Sequence, residues 1–389
     1  MNKSRIEINL EDFPDDIYIL LEDNFRAEFF KTAWKINKSY RHLAKKLGVS
    51  NPVMLSWRRG MINFTKQDQF CPVWAIKSII DYSKHSGKFN YNLEKVQENI
   101  KSIRCRAGNY KIYNVKLPIR DSRELRSLVT HLICDGSALN EKHRTSKYAS
   151  TSLETVNEVK EKLSIFGNTP NLLIRKETYT NHYLPSYVLN FSKAITKILT
   201  KKFNIDFRGD KARFPKEFLK GKRKFLVAIV RAFLIDEGCI NDRTIIFCSG
   251  SMKLLEDLKQ ICEMLEYKCQ NIRKNGGTYY LNISPDSFTK VYKDLTLFGN
   301  LPISEKQKRL DLGLKIINNS PNFRNLDNKI LALLKEPKST LDISRELLVN
   351  SKTINERLKK LQKLGLAERN PVRNLGKGGP FNWKIRHHP

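Results

Sequence analysis

The chain has 389 residues and a formal net charge of +31. At about 100–200 residues per domain, this length predicts roughly two to four domains. Hydrophobic residues make up 40% of the chain and include 20 Phe and 14 Tyr, which excludes disordered, collagen-like and coiled-coil proteins. A basic excess of this size is typical of nucleic-acid-binding proteins, because a polyanion relieves the self-repulsion. A generally basic, Lys-rich proteome is the alternative explanation.

The seven cysteines are odd in number and form no CxxC pair. They predict buried thiols in a reducing compartment rather than a disulfide framework or a zinc site. The N-terminal segment carries no apolar signal region, and no run approaches the ~18 apolar residues that a membrane span needs. We therefore expect a cytoplasmic protein with no membrane partner.

Residues 1–84 are predicted to form a helical N-terminal domain, in which the stretch SYRHLAKKLGVSNPVMLSWRRG has the pattern of a helix-turn-helix. Leu43 belongs to an apolar stripe, Gly48 suits a left-handed turn, and Pro52 suits the first turn of the second helix. The basic end of that helix favours DNA binding over the alternative, an ordinary helical hairpin with a solvated Arg pair. The residues that it would present to DNA are Asn51, Ser56, Arg58 and Arg59.

A basic connector is predicted over residues 85–115, followed by a central domain over 116–318 that contains an internal repeat. An apolar helix ends in an acid and Gly twice, in LRSLVTHLICDGSALN and in LVAIVRAFLIDEGCIN. Each copy continues with an amphipathic helix, a basic strand, a second strand and a short helix. The sequence therefore predicts an α+β domain of two αββαββα-like repeats, at about 116–210 and 211–318.

Residues 319–389 predict three helices and a β-hairpin around the turn NLGKGGPFNW, which is the outline of a winged helix-turn-helix. Ser351 is the predicted cap of the third helix, which would bury Ile354, Leu358, Leu361 and Leu364. A three-helix protein-interaction module of the same outline is the alternative. The predicted DNA contacts of this domain are Lys352, Thr353, Asn355, Arg357 and, at the wing tip, Lys377.

With its two Asp-Gly and Glu-Gly helices, the central domain resembles the LAGLIDADG (DOD-type) homing endonuclease family in its single-chain, two-motif form. The resemblance implies a monomer with pseudo-twofold symmetry, in which the motif helices pack side by side and saddle-shaped antiparallel sheets cover double-stranded DNA. In the family, the acid before the last Gly of each motif binds the metal, so the matching residues are Asp135 and Glu237. The implied cofactor is Mg²⁺ or another divalent cation such as Mn²⁺, which activates water at a scissile phosphate.

Two further segments resemble parts of the family. EKQKRLDLGLKII resembles the segment that supplies a basic residue to the active site, which makes Lys306 a catalytic candidate and Gln307 a residue that would orient water; the alternative is a solvated helix start. The basic strands would lie on the sheets that cover DNA, although alternation sends only one residue of each pair to that face. Their DNA-binding candidates are Arg175, Lys176, Arg273 and Lys274.

The chain departs from the family pattern within both motifs. Ile133 and Ile235 stand where the family has a first acid. Larger or polar residues replace the small ones that let the motif helices approach closely, so the structure must decide how tightly these helices pack. The replacing residues are Thr130 and His131 in the first copy and Arg231 and Phe233 in the second.

Three functional hypotheses follow. The first is a site-specific endonuclease whose flanking helix-turn-helix domains extend the recognised sequence, and the alternatives are a non-cleaving transcriptional regulator on the same scaffold and a protein that binds structured RNA. Both metal-position acids are kept, which favours the nuclease, because a pure binder gains nothing from placing carboxylates against phosphates. Since the chain starts at Met1 and ends in RHHP, we expect a stand-alone protein rather than a self-splicing one.

Overall fold

The computed structural model describes residues 6–61, 68–106, 110–137, 145–170, 172–177, 185–207, 211–318, 325–371 and 381–386. The described residues form helices and antiparallel sheets, which confirms the predicted α+β class. The chain divides into two compact units. Unit 1 consists of Met1–Glu237, Ser249–Ile261 and Gly276–Tyr279, and unit 2 consists of Gly238–Cys248, Cys262–Asn275 and Tyr280–Pro389. Among the described helices, none is both long and apolar enough to cross a bilayer.

The N-terminal part of unit 1 combines helices with a small antiparallel sheet. Its helices are α1 (Asp23–Ile36), α2 (Tyr40–Lys46), α3 (Asn51–Arg59), α4 (Val73–Lys84) and α5 (Leu93–Gln97). Its strands are β1 (Glu7–Ile8), β2 (Ile17–Leu21), β3 (Cys71–Pro72), β4 (Ile100–Cys105), β5 (Ile112–Tyr113) and β6 (Ile119–Arg120). The sheet has the strand order β3-β2-β4-β5, and β1 pairs with β6.

The segment predicted to be a basic connector contributes α5, β4 and β5 to this part of the fold. Ile100 and Ile103 of β4 are buried, whereas Lys101 and Arg104 are half-buried. Four of its six residues are buried, and β4 is an interior strand of the sheet that pairs with β2 and β5. Two of the basic residues that suggested a connector, Lys101 and Arg104, are the partly exposed positions of that strand.

The first half of the central region starts with a buried helix and continues into a four-stranded sheet. Its elements are α6 (Arg123–Cys134), β7 (Gly136–Ser137), β8 (Thr145–Ser150), α7 (Leu153–Lys162), β9 (Leu173–Glu177), β10 (Ser186–Ser192) and α8 (Lys193–Phe203). The sheet order is β7-β8-β10-β9, and all of its neighbouring strands are antiparallel. The edge strand β9 carries the first pair of basic residues, and the other edge strand, β7, starts one residue after Asp135.

The second half has the same succession of elements and ends with one further helix. Its elements are α9 (Arg223–Glu237), β11 (Gly238–Asn241), β12 (Thr244–Ser249), α10 (Met252–Met264), β13 (Arg273–Asn275), β14 (Thr278–Ile283), α11 (Phe288–Thr296) and α12 (Ser304–Asn318). Its sheet, of order β11-β12-β14-β13, belongs mainly to unit 2. The strand after the motif helix and the basic strand again occupy opposite edges.

The C-terminal part of unit 2 packs three helices on a two-stranded hairpin. Its elements are α13 (Leu326–Leu333), α14 (Thr340–Leu347), α15 (Ser351–Lys363), β15 (Ala367–Pro371) and β16 (Phe381–Ile385). Ile354, Leu358 and Leu361 enter a core closed by Trp383. Leu364 was predicted to be buried but is 60% exposed, because it lies just beyond the last helical residue and outside the apolar stripe of α15.

Candidate functional site

The two motif helices pack directly against each other within unit 1. Every residue from Leu125 to Ile133 in α6 and from Leu226 to Ile235 in α9 is buried. α6 ends at Cys134, and Asp135 is its C-cap, whose backbone N–H donates to the carbonyl of His131; Glu237 is the last residue of α9. Both acids are partly exposed, so each buried helix is followed or ended by a carboxylate that solvent can reach.

Gly136 is required by the tight passage from α6 into β7. A Cβ atom at this position would lie 2.3 Å from the carbonyl oxygen of Leu132. Any larger residue must therefore move the backbone that carries Asp135. The first motif therefore needs Gly at position 136 for a steric reason, whether or not a ligand binds nearby.

A buried polar cluster joins the two motif helices beside these acids. His131 Nδ1 lies 2.8 Å from Asp236 Oδ2, and the Tyr148 hydroxyl on β8 donates to Asp236 Oδ1 at 2.8 Å. The His131 and Asp236 side chains are 0% and 1% exposed. Burial, together with the charges of Asp236 and Asp135, raises the pKa of Tyr148 far above its usual value, so the hydroxyl stays protonated and donates.

Glu158 on α7 extends this cluster. Its Oε1 accepts a bond of 2.8 Å from Arg231, pairs with Lys162, and lies 4.0 Å from His131 Nε2. Desolvation raises the pKa of Glu158, but the cations Lys162 and Arg231 outweigh it and hold that pKa below its usual range. Burial lowers the pKa of the Lys162 ammonium, and Glu158 opposes this shift. The attraction thus keeps a largely buried carboxylate ionised.

These contacts explain how the helices pack with large residues in place of small ones. Arg231 and His131 direct their polar groups to Glu158 and Asp236, and the Thr130 hydroxyl donates to the carbonyl of Arg126 within its own helix. The sequence arguments missed Asp236 and Tyr148. The available signal was a His in an otherwise apolar helix and a second acid directly before Glu237.

Asp135 and Glu237 are the residues of this region that could hold a divalent cation. Carboxylate oxygens are the donors that Mg²⁺ and Mn²⁺ prefer, and Mg²⁺ typically takes one or two carboxylates and completes its shell with water and phosphate oxygens. Two partly exposed acids at the ends of packed helices fit that requirement. Among the described residues there is no cluster of three or more His, Cys, Asp or Glu side chains suited to a metal.

Lys306 lies in the first turn of α12 in unit 2 and is half-buried. The neighbouring Gln307 is not available to orient water as predicted. Its Oε1 accepts from the N–H of Leu301, and its Nε2 donates to Asp311, both at 2.8 Å. The side chain is buried because it ties the preceding loop to α12, so Gln307 has a structural role.

The register of the first sheet separates its two basic residues. Arg175 lies opposite Val188, whereas Lys176 lies opposite Tyr187. Tyr187 shares its face with Tyr148, Leu189 and Phe191, which are fully buried. Arg175 and Lys176 therefore lie on opposite faces of the edge strand β9, with Arg175 on the face of Val188 and Lys147, and both side chains are exposed. In the second sheet, Arg273 and Lys274 are both exposed on the edge strand β13.

In the N-terminal part, Gly48 adopts the predicted left-handed conformation, with a φ of +66°, between α2 and α3. Asn51, Arg58 and Arg59 are exposed on α3, and Ser56 is half-buried and donates to the carbonyl of Val53. The Arg58 guanidinium lies 5.2 Å from the centre of the Tyr40 ring. The carbonyls of Arg58 and Arg59 accept hydrogen bonds from the buried Arg26, which anchors the end of α3 on α1.

The predicted contacts on α15 occupy its first two turns. Lys352 is exposed and Thr353 and Asn355 are half-buried, whereas Arg357 lies 3.6 Å from Asp327 on α13. The predicted cap is displaced by one position: Asn350 is the N-cap, accepting from the N–H of Lys352 at 2.7 Å, and Ser351 is the first helical residue. Lys377 lies outside the described residues.

No family model matches the sequence, and no curated protein matches it. Several solved structures match part of the chain at low similarity. The homing endonuclease I-DmoI in complex with DNA and Mn is 14% identical at a TM-score of 0.33, over 44% of this chain and 96% of that chain. I-WcaI, a homing endonuclease bound to its DNA recognition sequence, is 15% identical at a TM-score of 0.35, over 49% and 86%. Full-length DUF199/WhiA from Thermatoga maritima is 14% identical at a TM-score of 0.34, over 64% and 93%.

Proposed function

We propose that this chain is a site-specific double-stranded DNA endonuclease of the LAGLIDADG type. The observation that carries the proposal is the pair of buried helices α6 and α9, which pack on each other and end in Asp135 and Glu237. Each acid is followed by Gly and by the edge strand of a sheet, and the two sheets have the same strand order. We interpret this as an internal duplication that presents one acid to each DNA strand.

In this proposal, Asp135 and Glu237 hold Mg²⁺ or Mn²⁺ through their carboxylates. A bound divalent cation supplies a water of lowered pKa and stabilises the leaving oxygen of the phosphodiester. Lys306 is proposed to offer positive charge to the scissile phosphate. The cluster of His131, Asp236 and Tyr148 is proposed to hold the two helix ends together, because both oxygens of Asp236 bond to the other two residues.

Binding is proposed to combine phosphate contacts with base contacts on one monomer. Arg175, Arg273 and Lys274 are exposed on the edge strands of the two sheets, and they would position the duplex. The helices α3 and α15 are proposed recognition helices of a helix-turn-helix and a winged helix-turn-helix, which would extend the recognised sequence. The net charge of +31 supports an anionic partner.

The test is to incubate the purified protein with genomic DNA of its source, with Mg²⁺ or with EDTA, and to sequence all new DNA ends. We expect Mg²⁺-dependent ends at one or a few loci. Asp135→Asn and Glu237→Gln should abolish these ends and leave or strengthen binding to the same loci. Glu161→Gln removes an exposed acid of unit 1 and should cut normally.

Two other outcomes would replace the proposal. If the protein captures defined loci but produces no ends, it is a regulator on this scaffold. If it binds structured RNA and ignores duplex DNA in competition, the RNA hypothesis replaces the nuclease.

A further inference from the structure

A carboxylate from the second sheet occupies the N-terminus of the proposed recognition helix α15. Asp242 is in the turn between β11 and β12, and its Oδ2 accepts two hydrogen bonds from Ser351, one from the backbone N–H at 3.0 Å and one from the hydroxyl at 2.5 Å. The two residues are 109 positions apart in the chain. The first turn of α15 is therefore bonded to the second half of the central region, within unit 2.

The turn that carries Asp242 is held in place from the other side. Asp242 has a φ of +49°, a left-handed conformation that Asp tolerates better than most residues. α12 packs on β11, and a Cβ atom at Gly313 would lie 2.3 Å from the carbonyl oxygen of Asp242. The close approach of α12 fixes the backbone of the turn, so the carboxylate is presented to α15 in one orientation.

This position is the one that DNA would need. A helix N-terminus carries unpaired N–H groups and a partial positive charge, which attract phosphate oxygens and carboxylates alike. In a helix-turn-helix, the N-terminal residues of the recognition helix enter the major groove. Lys352, Thr353 and Asn355 directly follow Ser351, so a duplex that reaches them brings its negative charge to the place that Asp242 occupies.

One feature of the contact between Asp242 and Ser351 lowers its strength, so that a competing anion can displace the carboxylate. Oδ1 of Asp242 is buried and has no hydrogen-bond partner among the described residues. A buried carboxylate oxygen without a partner offsets part of what the two bonds to Oδ2 contribute. A second contact between the same parts is the exposed ion pair of Arg345 on α14 with Glu305 on α12, at 2.8 Å, which salt and solvent weaken.

We propose that the bond between Asp242 and Ser351 is an autoinhibitory latch, which keeps the N-terminus of α15 from DNA until a duplex displaces the carboxylate. This inference rests on the proposed function of α15 as a DNA-reading helix. It adds a means of regulating that helix. With a weakly bound, non-specific duplex, Asp242 stays bound to Ser351 and blocks the N-terminus of α15. Only a duplex that the rest of the protein binds well displaces the carboxylate.

The test measures the affinity of the full-length protein for a labelled random-sequence duplex of about 40 base pairs by fluorescence anisotropy at fixed salt. Asp242→Asn keeps the turn conformation and removes the charge, and we expect it to tighten binding about three- to tenfold. Asp286→Asn is the matched control, because Asp286 is an exposed acid of unit 2 whose loss changes the net charge equally. It should change the affinity less than twofold.

A second variant tests whether a gain in DNA affinity depends on α15. Lys352→Ala, added to Asp242→Asn, should remove most of the gain. If Asp242→Asn binds DNA with unchanged or weaker affinity, the latch is overturned and the contact only stabilises the fold. The latch is also overturned if the gain in affinity persists in the double variant with Lys352→Ala. If wild type and Asp286→Asn bind while Asp242→Asn gains nothing, only the latch fails. If none of the proteins binds duplex DNA, the proposed function fails as well.

Discussion

The imidazole of His131 on α6 lies 2.8 Å from the carboxylate of Asp236 on α9, and both side chains are almost completely buried. The same carboxylate accepts the Tyr148 hydroxyl from the first sheet. Asp236 therefore connects both motif helices and β8 at the level of the two acids proposed to bind metal. A buried polar group that loses its hydrogen-bond partner is costly in the interior, so the three groups depend on each other.

Removing Asp236 should strongly destabilise the protein. In Asp236→Ala, His131 and Tyr148 lose their buried partner, and we expect the free energy of unfolding to fall by about 3–5 kcal/mol. Tyr148→Phe removes one hydrogen bond and should lower it by about 1–2 kcal/mol. Urea denaturation followed by circular dichroism measures both effects.

Tyr187→Phe is the control for Tyr148→Phe, since Tyr187 lies on the same sheet face but is partly exposed. We expect it to change the stability by less than about 0.5 kcal/mol. A loss below about 1 kcal/mol for Asp236→Ala would contradict the interpretation of the cluster as the connection between the helices.

Gly136→Ala should lower the free energy of unfolding by about 2 kcal/mol, because the new Cβ would overlap the backbone of Leu132. It should also impair Mg²⁺-dependent cleavage, since the backbone that moves carries Asp135. Gly250→Ala is the matched control, because a Cβ there meets no atom within 4 Å among the described residues. Equal unfolding midpoints for the two variants would show that the close approach at Gly136 does not constrain the chain.

The contribution of Glu158 to stability should depend on pH in a defined direction. Its pKa in the folded protein lies below the usual 4.5, so the folded state binds fewer protons than the unfolded state in the window between the two values. The stabilisation is complete above the unfolded pKa and is lost as the pH falls through the folded pKa. At pH 7, Glu158→Gln should lower the free energy of unfolding by about 2 kcal/mol, because it weakens charged hydrogen bonds.

The measurement is urea denaturation of wild type and Glu158→Gln at several pH values between neutral and about pH 3. The stability difference between the two proteins should shrink towards the acidic end. A difference that is constant over this range would mean that Glu158 contributes through packing rather than through its charge. Glu161→Gln, an exposed change on the same helix α7, should follow wild type throughout.

Arg175 and Lys176 should differ in their effect on DNA binding although they are neighbours of equal charge. Both side chains are exposed on the edge strand β9 but lie on opposite faces of the first sheet, and Lys176 shares its face with the buried Tyr148, Leu189 and Phe191. We expect Arg175→Ala to reduce the binding free energy by about 1 kcal/mol and to lower the slope of log affinity against log salt by about 1. Lys176→Ala, which removes the same charge, should change both by less than half as much.

Salt titrations by fluorescence anisotropy measure the affinity and the slope together. Wild type should show a steep dependence on salt, because many Lys and Arg contacts release counterions. Equal effects of the two substitutions would mean that only the net charge matters, and a flat dependence for wild type would remove the nucleic-acid proposal itself.

Local features of this fold could be predicted from short stretches of sequence. Gly48 and Pro52 mark the turn between α2 and α3, because their backbone preferences act within a few residues. The apolar runs that stop at Asp135 and Glu237 predict two buried helices ending in acids, and both are present. Leu364 and the cap at Ser351 were predicted wrongly by one turn or less, which is the usual uncertainty at helix ends.

The sequence by itself determined the α+β class, the order of elements in the central and C-terminal regions and the two acids that end the buried helices, because hydrophobic periodicity and turn residues act locally. The prediction of a helical domain over residues 1–84 missed the strands β1, β2 and β3, which are short and depend on pairing with distant segments. Only the tertiary structure decided which polar groups meet: His131 with Asp236, 105 positions apart, and Asp242 with Ser351, 109 positions apart. It also decided that the basic segment after residue 85 forms strands of the N-terminal sheet. Such pairings depend on the packing of distant elements, and a buried polar group takes whichever partner that packing brings within hydrogen-bond distance.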